Sequence, residues 1–184
     1  MPHDPSYAER KVEGIFNFVR SPTNKLYVLF LNYTVHVYDE VLRNLQCEDP
    51  KIHVLRRSLH KLLRNILVRF VKPSAMFGKC VDEVQYSVRY NQKANNELVI
   101  GEACQNFIAS RSQNYLQDKR VEEFYSNVRL YFMKACNYLM EKLPLNDPLL
   151  QHAEVADILK QQESKSSDLM YFLERFPGLI PLGS

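Results

Sequence analysis

The sequence predicts an all-α fold, an irregular helical bundle of about six to seven helices with long antiparallel helix pairs and one long central loop. Apolar residues recur at intervals of three and four, which places their side chains on one face of a helix. The segments with this spacing begin at capping residues and stop near proline or glycine. With 46% hydrophobic and 24% charged residues, the 184-residue chain has the composition of a folded protein rather than a disordered one. We expect one all-helical domain over 1–184, with lobes at 7–72 and 99–182.

Two helices are predicted before residue 47. The first covers 6–20 and stops at the pair Ser21-Pro22, because proline has no amide hydrogen with which to continue a helix. Thr23 is a suitable cap for the second helix, which keeps the helical spacing to about Gln46. The apolar face of the second helix is formed by Leu26, Leu29, Phe30, Tyr33, Val37, Val41 and Leu45.

The third predicted helix carries the strongest surface signal in the sequence. Asp49 caps it, Pro50 occupies its first position, and it extends to Lys72. Its apolar residues share one face, and four basic residues share the opposite face: Arg57, Lys61, Arg64 and Lys72. No acidic residue occurs between Lys51 and Lys72, so the helix contains no internal ion pair. Three interpretations of this basic face remain open: a solvated surface, a phosphate-contacting surface and a surface for an acidic protein partner.

The second half of the chain is predicted to contain four helices after a long connection. Residues 75–98 mix glycine, paired acids and asparagines, which is typical of a loop with at most short structure. Within it, apolar residues alternate over 84–90 and favour a short extended piece. The aromatic residues of the long helix after Asp118 have core spacing, so we expect them to pack inside the protein. The four helices are predicted at 101–110, 118–143, 148–159 and 166–176, with Asp147 and either Ser166 or Ser167 as caps of the last two.

The sequence predicts no catalytic, metal or cofactor site. Adjacent acidic residues such as Asp39 and Glu40 do not face one another on a helix, so they do not form a catalytic pair. The five glycines form none of the glycine-rich phosphate-binding motifs. His53 and His60 share the third helix but lack the carboxylates or thiols that would complete a metal site. We expect His60 to pack or to form a hydrogen bond.

The cysteines and the N-terminus favour an intracellular chain without a membrane partner. The four cysteines form no zinc-binding pair, so we expect reduced and mostly buried thiols. The N-terminal residues lack the basic and apolar regions of a signal peptide. No apolar run approaches the roughly 18 residues of a membrane-spanning helix. The net charge of +3 is mild, so any affinity for a polyanion depends on how the charge is distributed.

Seven strings resemble, in order and approximate spacing, transposases of the hAT superfamily and the host proteins derived from them. They are KLYVLFL at 25–31, PKIHVL at 50–55, RFVKP at 69–73, VIG at 99–101, EFY at 123–125, LNDPLL at 145–150 and ERFP at 174–177. The similarity extends from about Tyr7 to Leu182. In that family the corresponding region is a helical domain inserted into an RNase H-like catalytic core. The acidic residues of the core have no counterpart here, so the resemblance implies a domain without enzymatic activity and no catalytic residue is carried over.

The resemblance implies two hypotheses for function. In the first, the domain helps to hold DNA, and Arg57, Lys61, Arg64 and Lys72 contact the phosphates of double-stranded DNA without base specificity. Replacement of the first three by glutamate is then expected to abolish binding without unfolding the chain. The alternative is a protein-interaction scaffold derived from a transposable element that does not bind DNA. Its exposed apolar surface then binds a protein partner or associates with itself. The expected location is the nucleus or the cytoplasm, and only the family resemblance favours the nucleus.

Overall fold

The computed structural model describes residues 7–46, 51–111, 118–157 and 165–179, and they form an all-α helical bundle. Seven of the α-helices correspond to the seven predicted segments, and α4 is a short addition. No strand occurs within the described ranges, and the predicted fold class is confirmed. The helices are α1 (Tyr7–Arg20), α2 (Pro22–Leu45), α3 (Ile52–Phe70), α4 (Pro73–Met76), α5 (Glu102–Arg111), α6 (Asp118–Lys142), α7 (Pro148–Ala153) and α8 (Ser166–Arg175).

A single residue separates α1 from α2. Ser21 has an extended backbone, and its hydroxyl accepts a 3.5 Å hydrogen bond from the amide of Asn24. Pro22 occupies the first turn of α2, where the missing amide hydrogen costs nothing because that amide has no helical partner. The prediction of Thr23 as the cap was therefore wrong, and the pair Ser21-Pro22 both ends one helix and starts the next.

Helix α3 buries the predicted apolar face most completely towards its C-terminal end. It begins at Ile52, with Lys51 at the capping position and no side-chain cap. The predicted cap Asp49 and the predicted first residue Pro50 lie outside the described residues. Ile52 is exposed and Leu55 is half-buried. The buried residues of α3 are Leu59, Leu62, Leu63, Ile66, Leu67 and Phe70.

Aromatic side chains from α2, α3 and α6 form the centre of the core. The ring centroid of Phe132 in α6 lies 5.6 Å from that of Phe30 in α2 and 5.6 Å from that of Phe70 in α3. Phe30 also meets Phe124 edge-on at 6.0 Å. All four rings are buried, and such pairs contribute beyond their area alone. The expectation that the aromatic residues of α6 pack inside the protein is confirmed for its two phenylalanines and is wrong for Tyr138, which is 62% exposed.

Residues 71–100 cover the C-terminal end of α3. An α-helix leaves its last four carbonyls without partners inside the helix. The Val68 carbonyl accepts a 2.6 Å hydrogen bond from Lys93 Nζ, and the Phe70 carbonyl accepts a 2.8 Å bond from the Lys93 amide. The Arg69 carbonyl accepts a 3.0 Å bond from the Val99 amide. The long connection is therefore an ordered cap on α3.

The connection is built from short turns rather than from the predicted extended piece. Within the described residues, the strand-like pairing in this region is an isolated bridge between Val71 and Gln92. Gln92 is buried, and its side-chain amide donates to the Tyr86 carbonyl at 2.9 Å. This bond folds the segment back on itself, so the alternation over 84–90 does not produce a strand. The 3-10 turns lie at Val81–Glu83, Arg89–Asn91 and Asn95–Glu97.

Helix α7 is shorter than predicted. The Asp147 carboxylate caps it as expected and accepts a 2.8 Å bond from the Leu149 amide. The regular helix ends at Ala153 and a 3-10 turn, Glu154–Ala156, follows. The predicted end near Leu159 lies outside the described residues, but the helix stops well before it.

Helix α8 packs against α7 through a hydrogen bond and a ring stack, both made by His152. His152 Nδ1 lies 2.9 Å from Asp168 Oδ1, and the His152 ring stacks on Tyr171 with centroids 4.1 Å apart. Lys165 occupies the capping position of α8, so the predicted caps Ser166 and Ser167 were wrong by one residue or two. The Asp168 carboxylate instead accepts a 3.1 Å bond from the Lys165 amide and satisfies the start of the helix.

Candidate functional surfaces

The four basic residues predicted to contact DNA do not form one open row. Lys61 and Arg64 are exposed on α3. The Arg57 guanidinium forms an ion pair with the carboxylate of Asp157, although 44% of the Arg57 side chain is exposed. Lys72 lies beyond the end of α3 and is half-buried. Arg57 is therefore engaged in an ion pair and Lys72 lies off the helix, so the four residues do not share one face of α3 as predicted.

Acidic residues from outside α3 pair with its basic residues. Arg56 Nη1 lies 3.3 Å from Glu154 Oε1. The next residue, Arg57, pairs with Asp157, which follows Glu154 by three residues. Asp157 is only 4% exposed, and a buried carboxylate without a cation is strongly unfavourable. The two pairs hold the N-terminal half of α3 against the 3-10 turn after α7. Replacement of Arg57 by glutamate is now expected to destabilise the fold, because it brings two carboxylates together.

Lys72 lies beside an open cleft of about 540 Å³ at the end of α3. Its Nζ donates to the Tyr90 carbonyl at 2.7 Å and lies 4.6 Å from the centroid of the Tyr90 ring. Lys93 also lines the cleft, and its Nζ is bonded to a carbonyl of α3. Glu97 adds a carboxylate to the same wall. Both ammonium groups have backbone partners, so this cleft is a weak candidate for an anion site.

Arg129 is a buried cation that the sequence analysis missed. The residue is 6% exposed, and its guanidinium donates to the carbonyls of Lys93 at 3.0 Å and Tyr125 at 3.3 Å. Burial lowers the pKa of the guanidinium, and the nearby charge of Arg89 lowers it further. The sequence does contain a signal, because position 129 is four residues after Tyr125 and three before Phe132, on the core face of α6. These contacts hold the central connection against α6.

Three histidines of the described residues, His36, His60 and His152, have local partners. No group of three or more metal-binding side chains occurs in the part of the chain that the structure describes. His36 Nδ1 lies 2.9 Å from Asp39 Oδ2 on the same helix. His60 Nε2 lies 3.4 Å from the Leu145 carbonyl, in agreement with the hydrogen-bonding role expected for it.

Two of the thiols are buried in the core. Cys104 and Cys136 are free and fully enclosed, and burial raises the pKa of Cys104 to about 11 and that of Cys136 to about 12. Cys80 is free and exposed, and Cys47 lies outside the described residues. The high pKa values keep the two buried thiols protonated and unreactive at neutral pH.

The largest unexplained feature is an uncovered set of apolar side chains on α1 and α2. Between 49% and 67% of each residue is exposed. We call this set the α1–α2 apolar surface, and it consists of Val12, Ile15, Phe16, Val28, Leu31, Val35, Leu42 and Leu45. The sequence analysis placed Leu45 on the core face of α2, which is wrong because 54% of the residue is exposed. It missed the outer stripe of α2, whose regular spacing from Val28 onwards was a detectable signal.

Comparison with protein-family models, with curated proteins and with solved structures gave no match. The resemblance to hAT transposases therefore remains a prediction based on the seven strings in the sequence. In the described residues, no helix combines the length and the apolar character needed to cross a membrane.

Proposed function

We propose that this chain is a non-catalytic helical domain, related to the insertion domain of hAT transposases, that works by binding a protein through its α1–α2 apolar surface. The exposure of this surface is the observation that carries the proposal. In the resembled family such a domain is attached to a catalytic core, so an apolar face for contact with another protein body is expected of it. Large exposed apolar patches are characteristic of sites of protein interaction.

The stripe on α2 supports the proposal most directly. Val28, Leu31 and Val35 follow one another at intervals of three and four, so they are neighbours on the helix. They are about half exposed, whereas Leu26 and Phe30 on the core face are 1% and 3% exposed. Helix α2 therefore has one apolar face that the domain covers and a second that it leaves in solvent.

Dye binding tests whether this surface is accessible. A fluorescent dye that binds apolar surface is titrated against the dilute chain and against the variant Val35→Ser/Leu42→Ser. We expect the variant to lose at least about half of the dye signal while its helicity is unchanged, because both residues are exposed. The matched control is Val88→Ser/Leu169→Ser, which removes exposed apolar side chains elsewhere and is expected to keep the signal. A wild-type chain that binds no dye would contradict the proposal.

Contact with the DNA backbone is the second candidate, and the exposed pair Lys61 and Arg64 favours it. These two cations lie on a helix without acidic residues, three positions apart on the same side. Fluorescence anisotropy of labelled duplex DNA over several salt concentrations measures the contact. We expect log K to fall with log salt by about 0.9 for each phosphate contact. The variant Lys61→Glu/Arg64→Glu keeps the Arg57 pair intact and should abolish binding, and binding that persists in it would reject this site.

A further inference from the structure

The exposed stripe of α2 has the spacing of a coiled-coil seam. Val28, Val35 and Leu42 are seven residues apart, and Leu31 and Leu45 follow the first and the last of them by three. In a heptad these are the a and d positions, which pack against a second helix. Two of the three a positions are valine and two of the three d positions are leucine, and this combination favours two-stranded pairing.

The remaining d position does not interrupt this seam with a charge. Tyr38 occupies it, is half-buried, and has its hydroxyl 3.4 Å from that of Tyr131 in α6. Its side chain therefore packs towards α6 of its own domain, and it leaves this position of the stripe uncharged. No a or d position from Val28 to Leu45 carries a charge, so like charges do not meet inside the seam, and the nearest acidic residue beside it is Asp39. The mild net charge of +3 adds little repulsion between whole chains.

Helix α2 is already ordered before any partner binds. Its opposite face is anchored in the core by Leu26, Phe30 and Val41. A short isolated coiled coil is marginal because each helix has to fold when it pairs. A helix held by its own domain does not carry that cost, so a seam of three a positions and two exposed d positions is long enough to pair.

The available area agrees with an interface of ordinary size. The eight half-exposed side chains of the α1–α2 apolar surface present roughly 600–800 Å², taking about 150–200 Å² for a large apolar residue. A standard interface buries about 800 Å² on each partner, of which somewhat more than half is apolar. The stripe of α2 alone is too small, so the residues of α1 have to take part as well.

We propose that a second copy of this chain covers the α1–α2 apolar surface, in a two-fold symmetric dimer centred on α2. This inference rests on the proposed function and identifies the partner of the same surface. Because a two-fold interface uses the same patch on both copies, every seam residue meets an equivalent seam. Helix α1 of each copy flanks the pair and contributes Val12, Ile15 and Phe16.

Sedimentation equilibrium tests the dimer on the full chain at concentrations from about 1 to 100 µM, a range that brackets common dimer affinities. We expect the wild-type mass to approach that of two chains within this range. The variant Val35→Glu/Leu42→Glu is expected to weaken dimerisation by at least about 100-fold, because it places charges in the seam. Arg43→Glu on the polar side of the same helix is the control and is expected to remain dimeric. A wild-type chain that is monomeric at 100 µM overturns the dimer.

A cysteine at the seam gives a second readout that introduces no charge into α2. In a background with Cys47→Ser and Cys80→Ser, oxidation of the Val35→Cys variant is expected to produce a covalent dimer, and the Arg43→Cys variant is expected to produce none. Equal cross-linking of both variants overturns the proposal. The dye experiment separates the proposed docking function from the proposed partner. A monomer that still binds dye at this surface retains the docking function and rejects the second copy. A monomer that binds no dye rejects both.

Discussion

The C-terminal end of α3 and the outer face of α2 are built from the same residue types at the same spacing, but their surroundings differ. Ile66, Leu67 and Phe70 are at most 1% exposed, because α6 and residues 71–100 close over them. Val28 and Val35 are more than half exposed, and no described element covers them. Helical spacing therefore predicts where an apolar face lies, but the number of elements that pack on it decides whether it becomes core or surface.

Polar groups show the same contrast. The last carbonyls of α3 bond to the backbone and side chain of Lys93, and the buried Arg129 bonds to the carbonyl of the same residue. These bonds hold residues 71–100 on the C-terminal end of α3, and we call this part of the protein the closed region. Because its buried polar groups are paired, the bonds favour a single arrangement of the segment. On the outer face, the side chains of His36 and Asp39 bond only to each other. The closed region is thus expected to carry most of the stability, and the open region to tolerate substitution.

Removal of an aromatic ring should show the largest difference in stability loss between the closed core and the exposed surface. Phe132→Ala deletes a ring that contacts Phe30 and Phe70, and we expect it to lower the free energy of unfolding by about 3–5 kcal/mol. Phe77→Ala makes the same change where 87% of the residue is exposed, and is expected to cost less than about 0.5 kcal/mol. Urea unfolding followed by circular dichroism measures both. Similar losses for the two variants would mean that the core is not where the structure places it.

Replacement of glycine by alanine should change the stability of the protein in opposite directions in the two regions. Gly101 has a φ of +88°, and a Cβ there would lie 2.7 Å from Tyr33 Cγ, so Gly101→Ala is expected to destabilise the protein by about 2–4 kcal/mol. Gly14 lies in α1 with open space around it, and Gly14→Ala is expected to stabilise the helix by about 0.5–1 kcal/mol. Thermal unfolding of both variants measures the signs. A stabilising Gly101→Ala would contradict the packing of α5 on α2.

The ion pairs allow a smaller and more selective test. Asp157→Ala removes a buried carboxylate and is expected to cost about 1–3 kcal/mol, less than a fully buried pair because Arg57 is partly in solvent. Glu141→Ala breaks the exposed pair with Lys142 and should change stability by less than about 0.5 kcal/mol. A double-mutant cycle with Arg57→Ala measures the coupling in the unfolding free energy. Strict additivity of Arg57→Ala and Asp157→Ala would show that the pair does not anchor α3.

The weakest expected effect is the acid sensitivity of α8. The hydrogen bond from His152 and that from the Lys165 amide lower the pKa of Asp168 below its usual value. A carboxyl group with a lowered folded pKa stabilises the fold above its unfolded pKa, and this contribution is lost as the pH falls through the folded value. We expect the protection of the amides in 166–175, measured relative to their intrinsic exchange rates, to fall below about pH 4. Asp168→Asn should remove most of that pH dependence, and an unchanged pH profile would argue against this contact.

The sequence predicted the helices better than it predicted their ends and their neighbours. Apolar spacing located α2, α3 and α6 because it reflects geometry within one helix. It misplaced the start of α2, where Ser21 rather than Thr23 is the cap, because several adjacent residues are chemically able to cap a helix. The turns around Gln92 depend on contacts with α3 and α6, so no local pattern reveals them.

The candidate site was predicted only in part, for the same reason. The basic face of α3 was visible in the sequence, but the carboxylate that neutralises Arg57 lies 100 residues away, at Asp157. The ion pair exists only once α7 packs on α3. Conversely, the outer stripe of α2 was present in the sequence as a heptad from Val28 to Leu45. It went unnoticed because a second apolar face on the same helix is normally expected to be covered.

Hydrogen–deuterium exchange measured at low and at high protein concentration tests the central claim most directly. The account predicts slow exchange in α3 and α6 at both concentrations, and exchange in α1 and α2 that is faster in the dilute sample and slows as the concentration rises. This result would show a closed core beside an apolar surface that a second copy covers. Exchange in α1 that is as slow as in α3 in the most dilute sample would show that the chain itself covers this surface, and would contradict the account.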